Sequence, residues 1–392
     1  MTFLLNPAMT GTFAPPVMEA RRWLDGVTFP ADRPLINVSQ AAPVDPPPEG
    51  LRQAIADAAL TRTEAHLYGP VLGMPELRAE VAGQWSVQYG GRIAPEEVAI
   101  TQGCNQAFCA VLATLAGHGA EVILPTPWYF NHKMWLDMAG STAVPLTTGP
   151  DLIPDAEAAA RLITSKTRAI VLVSPNNPGG VEYPAETLRA FFDLARAHGI
   201  ALIVDETYRD FDSRTGAPHD LFADPDWRGT LIHLYSFSKA YRLTGHRVGA
   251  VVADAGLLAQ VEKFLDTVAI CPSQLGQIGA LWGMRNLAQW VAGERAEILA
   301  RRQAMVDGFA RLPDWRLLGC GAYFAYAEHP YPLSSPDMAR RLVREAGILM
   351  LPGTMFMPDD DPRGRQQFRI AFANVDRAGI AALIDRLAGW TG

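Results

Sequence analysis

The chain has 392 residues, 49% of them apolar, with 34 basic against 41 acidic side chains and a net charge of −7, a balance that argues against nucleic acid as the main partner and leaves a local site for an anionic small molecule open. No run reaches the roughly 18 apolar residues of a membrane span, and the start MTFLLNPAMTGTFAPP lacks the basic and long apolar regions of a signal peptide. Cys104, Cys109, Cys271 and Cys320 form no CxxC pair and no HExxH occurs, so a zinc site and a disulfide framework are disfavoured, no metal is expected, and a reducing, cytoplasmic setting is.

Residues 1 to about 50 are proline-rich and aperiodic, which predicts an extended or turning arm. Helical patterning starts near Leu51. In MPELRAEVAGQW, Pro75 suits a first helical position, and Leu77, Val81 and Trp85 form one apolar stripe. EVAI reads as a strand, followed by a helix over 106–115, and AEVIL as the next strand. RAIVLVSP is a further strand, followed by a helix that Pro184 can open and Gly199 can close. IALIVDE and LIHLYSFS are continuous apolar strands of the kind buried on both faces. Helices between such strands imply right-handed crossovers and an α/β fold with a mostly parallel sheet. The stretch 276–311 reads as one long helical run. The tail mixes the strands AYFAYA and QFRIAFA with amphipathic segments, which predicts a smaller α+β domain.

Ligands of an open parallel sheet bind beyond the carboxyl ends of its strands. Asn177, Asp205, Tyr208, Ser236 and Lys239 fall at such ends, and Arg247 follows a turn. Singly, Lys239 also reads as a solvated lysine, Asp205 as a helix cap, Asn177 as a turn former, Arg247 as a surface cation and Tyr208 as core. Their joint placement is what points to a site. YGPVLGMPE is not GxGxxG and GGRIAPEE is not a Walker loop, which lowers the case for nicotinamide cofactors and nucleotides. A lysine can form a Schiff base with an aldehyde, a serine and an arginine can hold a phosphate, and a buried carboxylate can pair with a protonated pyridine nitrogen. Together these describe a site for pyridoxal 5'-phosphate.

SFSKAYRLTGHRVG, with Ser236, Lys239 and Arg247, resembles the lysine segment of the fold type I pyridoxal-phosphate enzymes, specifically the class I/II aminotransferases. PNNPGG and IVDETY carry the same resemblance, which extends over nearly the whole chain. It implies an arm over 1–50 contributing to the small domain and interface, a large cofactor-binding domain over 51–290 and a small domain over 291–392. It also implies that Lys239 holds the aldehyde and is the catalytic base, Asp205 pairs with the ring nitrogen, and Asn177 and Tyr208 meet the ring oxygen. TQGCNQAF resembles the phosphate loop, giving Cys104 and Asn105 to the cofactor. In TPWYFNH, Tyr129 rather than Trp128 takes the stacking position.

YGPVLGMPELR implies that Tyr68 reaches the cofactor phosphate of a partner in a homodimer, and FRIAFAN puts the substrate α-carboxylate on Arg369. Ala41 stands near a position where the family has glycine. Gly179 replaces a usual threonine and His246 a frequent tryptophan. The implied activity is transfer of an amino group from an L-amino acid to a 2-oxo acid, with no nucleic-acid or membrane partner. A C–S β-lyase or a cyclising synthase would keep nearly every residue named. Lys133, Arg21, Arg22, Arg242 and Arg285 are the cations open for a second carboxylate, while AYFAYAEHPY would favour an apolar or aromatic donor.

Overall fold

The uninterrupted apolar runs become the middle of a 7-stranded sheet in the computed structural model, which describes residues 3–392. After the two-residue strand β1 (Ile36–Asn37) in the arm, the strands of this sheet are β2 (Val98–Thr101), β3 (Glu121–Thr126), β4 (Thr142–Thr147), β5 (Thr167–Val173), β6 (Ala201–Asp205), β7 (Leu231–Ser236) and β8 (Gly249–Val252). Their order is β2-β8-β7-β6-β5-β3-β4. β8 is antiparallel to both neighbours, and every other neighbouring pair is parallel. The mostly parallel α/β sheet expected from the sequence is present.

This topology decides where a site can form. Thr101 and Ser236 both lie opposite Gly249, so the ends of β2 and β7 share one edge with the start of β8. The ends of β5 and β6 fall on that same edge. Alternation along the strands feeds two cores. Ile170, Leu172, Leu202 and Val204 enter one face with Leu188, Phe191 and Phe192 of the helix Ala185–His198. Val171, Ile203 and Leu234 enter the other with Ala107, Phe108 and Val111 of the helix Cys104–Leu115. Pro184 precedes the first of these helices, and Gly199, left-handed at φ 62°, ends it as its sequence predicts.

The second sheet is formed by β9 (Arg316–Gly321), β10 (Phe324–Glu328), β12 (Leu351–Pro352) and β13 (Gln367–Ile370), antiparallel in the order β12-β13-β10-β9. Between them β11 (Ile348–Leu349) pairs in parallel with β1, which ties the arm to this part of the chain. The amphipathic segments form the helices Ser335–Ala346 and Arg377–Gly389, burying Met338, Leu342, Ile380 and Leu383 in the core of this smaller unit.

Three local expectations need correction. The arm is not merely extended: it holds short helices at Pro7–Thr10 and Pro16–Arg22, each with proline in its first turn, where the missing N–H has no intrahelical partner to lose. The helix expected over 106–115 starts two residues earlier, at Cys104, because the left-handed Gly103 (φ 84°) turns the chain directly into it. The helical run expected over 276–311 is two helices, Gln274–Asn286 and Ala288–Phe309. Leu287 between them keeps its bond to the Gly283 carbonyl (2.9 Å) but sits at φ −110°, ψ 16°.

Candidate active site

A cavity of about 410 Å3 lies over the shared strand edge. Ala41, Cys104, Asn105, Tyr129, Asn177, Asp205, Tyr208, Ser236, Lys239, Arg247 and Arg369 all line it. Tyr68 does not; it is 81% exposed on the outside of its own chain.

Lys239 is carried on the one-turn helix Phe237–Ala240 that follows β7, where the Ser236 side chain accepts from the Ser238 amide (3.3 Å) and so caps the turn. Its Nζ donates to the Ala41 carbonyl at 2.6 Å. Burial first, then the charges of Arg247 and Arg369, hold the amine down to about 8. It therefore loses its proton far more readily than a surface lysine.

Asp205 ends β6. Its Oδ1 accepts from the Thr207 amide (3.0 Å), and His132 Nε2 lies 3.4 Å from Oδ2. His132 stacks on Phe108, with ring centroids 3.9 Å apart. Burial pushes the Asp205 carboxyl up, but His132 and Thr207 outweigh it and hold the group below its ordinary value. Asp205 is thus a buried carboxylate that stays ionised. The Cys104 thiol is pushed well up by burial and by Asp205, so it stays protonated. Burial and Asp205 raise the Tyr129 phenol to about 12; it donates to Asn105 Oδ1 (3.2 Å) and accepts from Asn131 Nδ2 (2.7 Å). Burial likewise raises Tyr208 well above the usual phenol value, and its ring lies 5.8 Å from Lys239 Nζ.

An anion cradle forms where β2 and β8 meet. The first amide of the helix Cys104–Leu115 to close a turn is that of Ala107, onto Gly103 (3.2 Å), which leaves the preceding N–H groups directed out of the helix start. Arg247, itself left-handed at φ 52°, sits against this turn: a Cβ on Gly103 would lie 2.3 Å from its Nη2. Its Nη1 donates to the Thr244 carbonyl (2.9 Å) and to Ser238 Oγ (3.4 Å), and no carboxylate pairs with it among the described residues.

Arg369 enters from β13 and is only 2% exposed. Nη1 donates to Asn177 Oδ1 at 3.0 Å, Nη2 to the Ser39 carbonyl, and Nε has no partner. Phe130, Phe324 and Phe356 surround the guanidinium at 5.7, 5.1 and 4.9 Å. Burial lowers its pKa to about 10. A buried guanidinium whose partners are all neutral is a ready receptor for a carboxylate.

Sequence reasoning missed several groups here. His132 stands three residues after Tyr129 on one helix, so the spacing could have placed both on one face. Thr207 and Ser238 each sit one or two residues from a residue already singled out. The phenylalanine cage, Gln40 and the arm residues Pro15 to Met18 at the cavity had no local signal.

Residues 33–387 match the family described as aminotransferase class I and II. The chain is 30% identical over 361 residues to the valine–pyruvate aminotransferase of Mycobacterium tuberculosis, covering 91% of each chain. It is 29% identical over 297 residues to a probable aspartate/prephenate aminotransferase of Thermus aquaticus, covering 74% of this chain and 76% of that one. Among solved structures, an aminotransferase from Mycobacterium tuberculosis superposes with a TM-score of 0.88 at 27% identity, covering 99% of both chains. With a matched family spanning most of its length and a fold that superposes over 99% of a solved aminotransferase, the chain belongs to the class I and II aminotransferases, enzymes of the fold type I pyridoxal-phosphate superfamily.

Proposed function

We propose that the protein is a pyridoxal-phosphate-dependent aminotransferase moving an amino group from an L-amino acid to a 2-oxo acid. The observation that carries this reading is one cavity holding both an anion cradle and a buried arginine without a counter-ion, with a lysine amine close enough to both arginines to be depressed by each.

The residues fit pyridoxal phosphate. Lys239 would hold its aldehyde, Asp205 its ring nitrogen, Asn177 and Tyr208 its ring oxygen, and Tyr129 a face of the ring. The amides of Cys104 and Asn105, with Ser236 and Arg247, would hold its phosphate. The absence of a side chain on Gly103 is what lets Arg247 lie against that amide turn. When bound, the cofactor supplies an aromatic sink for the electron pair left at the substrate Cα.

The chain's own groups do the rest. Arg369 grips the α-carboxylate with its planar fork and fixes how the Cα–H bond stands in the cavity. Lys239, whose amine is held down to about 8 and so gives up its proton more readily than an ordinary lysine, takes the proton from Cα in its neutral form and returns it. Asp205 remains ionised and favours a protonated ring nitrogen. The proposal includes a cytoplasmic location and a homodimer in which Tyr68 reaches the partner's cofactor phosphate. Support for the dimer comes from the exposed Leu67, Tyr68 and Ile270, gathered where the Gly69 amide meets Cys271 Sγ (3.4 Å).

The test is a panel of amino donors against 2-oxoglutarate, pyruvate and oxaloacetate with the cofactor-loaded protein. Paired formation of a new amino acid and a new oxo acid is expected. Pyruvate and ammonia released from a β-substituted amino acid, with no acceptor required, would replace transfer by β-elimination.

A further inference from the structure

We infer that the substrates of this site are short dicarboxylates and that Arg21 is the specificity-determining residue that holds their distal carboxylate. The inference rests on the aminotransferase reading and names its substrate class.

A dicarboxylate needs a second cation beyond Arg369. The structure separates the candidates. Lys133 is bonded to Asp137 at 2.5 Å, Arg242 to Glu294 at 2.6 Å and to Asp45 at 3.4 Å, and Arg285 to Glu80 at 2.7 Å. Neither these three nor Arg22 lines the cavity, whereas Arg21 does. Arg21 has no carboxylate partner among the described residues; its Nη2 donates to the neutral Oε1 of Gln40 at 2.6 Å. Among the described residues, the only acidic side chain lining the cavity is Asp205, already engaged by His132 and Thr207. An incoming carboxylate therefore meets no acidic rival for Arg21.

Placement makes the assignment specific. Three successive arm residues each contact one cation: the Ser39 carbonyl accepts from Arg369, the Gln40 side chain from Arg21, and the Ala41 carbonyl from Lys239. Arg369 and Arg21 are thus held by adjacent residues, Ser39 and Gln40, about 3.8 Å apart at Cα, which brings both guanidiniums to one stretch of the cavity wall. Lys239, the group that must reach Cα, is held on the same segment. The remaining arm residues at the cavity, Pro15 to Met18, are apolar and offer a distal charge no other partner.

The experiment uses cofactor-loaded wild type, Arg21→Gln and Arg21→Lys. Two quantities are read: the ratio of kcat/KM for aspartate to that for alanine, and the affinities for unreactive succinate and butyrate by titration calorimetry. Wild type is expected to prefer the dicarboxylate in both. Arg21→Gln is expected to lower the aspartate-to-alanine ratio at least about tenfold and to erase the advantage of succinate over butyrate, since one charge-assisted contact is lost. Arg21→Lys is expected to retain part of both, because the charge survives. Equal losses for aspartate and alanine in Arg21→Gln would show that Arg21 only holds the arm, and an unchanged ratio would overturn the inference directly. Wild type that transfers amino groups only from neutral donors overturns this inference alone; wild type that transfers none overturns the aminotransferase reading and this inference with it.

Discussion

Arg369 Nη1 donates to Asn177 Oδ1 at 3.0 Å, joining β13 of the smaller sheet to the loop after β5 of the larger one. The same guanidinium reaches the Ser39 carbonyl in the arm. One buried cation thus touches all three parts of the chain. The group proposed for the substrate carboxylate is braced by the group proposed for the cofactor's ring oxygen, so substrate and cofactor positions depend on each other.

Arg369→Ala should lower kcat/KM for amino acids roughly 30-fold or more, from loss of about 2 kcal/mol or more of charged contact. Most of the change should fall on KM. Arg369→Lys should recover only part, because an ammonium cannot fork onto a carboxylate. Steady-state kinetics decide it, and an unchanged KM in the alanine variant would remove Arg369 from carboxylate binding.

Lys239→Ala should bring turnover below detection while the thermal midpoint stays near that of wild type. A base of this kind contributes about 10²–10⁴-fold by itself, before the lost attachment of the cofactor is counted. Borohydride treatment followed by peptide mass spectrometry should find a cofactor adduct at position 239 in wild type and none in the variant. Undiminished transamination would falsify the assignment.

His132→Leu should move the acid limb of the kcat profile to higher pH. In the wild type His132 and Thr207 overcome burial and hold Asp205 low; without the histidine, burial gains weight and the carboxyl rises. The stability effect has a fixed sign. A carboxyl depressed by folding contributes stability that is present above its unfolded pKa and lost as pH falls through the folded one, so the variant should also melt earlier at neutral pH. A kcat profile between about pH 5 and 8 that superposes on the wild type's would refute the role of His132.

Gly103→Ala should weaken cofactor binding about tenfold by equilibrium dialysis. The residue sits at φ 84°, and its new methyl would lie 2.3 Å from Arg247 Nη2. With ψ at 165° this backbone is essentially confined to glycine and costs an L-residue about 1–3 kcal/mol, and the guanidinium must also move. Gly83→Ala, on a helix with nothing within 4 Å of the added carbon, serves as the control and should bind the cofactor as wild type does.

Much of the site was legible because its residues lie in short segments whose local structure the sequence dictates. Apolar runs in β5, β6 and β7 end where Ser174, Asp205 and Ser236 begin the polar edge, so Asn177, Asp205 and Lys239 could be placed at strand ends without tertiary information. The anion cradle was partly legible through Gly103. What local pattern lacks is any record of which distant groups meet. Asn177 and Arg369 are 192 residues apart, and Ser39 and Arg369 are 330 apart.

Of the five cations left open for a second carboxylate, sequence offered no means of choosing. Pairing to Asp137, Glu294 and Glu80 removes Lys133, Arg242 and Arg285, and the packing of the arm brings Arg21 to the cavity. The sequence by itself determined the strand and helix alternation, the polar groups at the strand ends and the family resemblance, because backbone sterics and the period of apolar burial act over a few residues. Only the tertiary structure decided the partners of Arg369, the bracing of Asp205 by His132 and the position of Arg21, because desolvation and charge pairing depend on which surfaces close on one another.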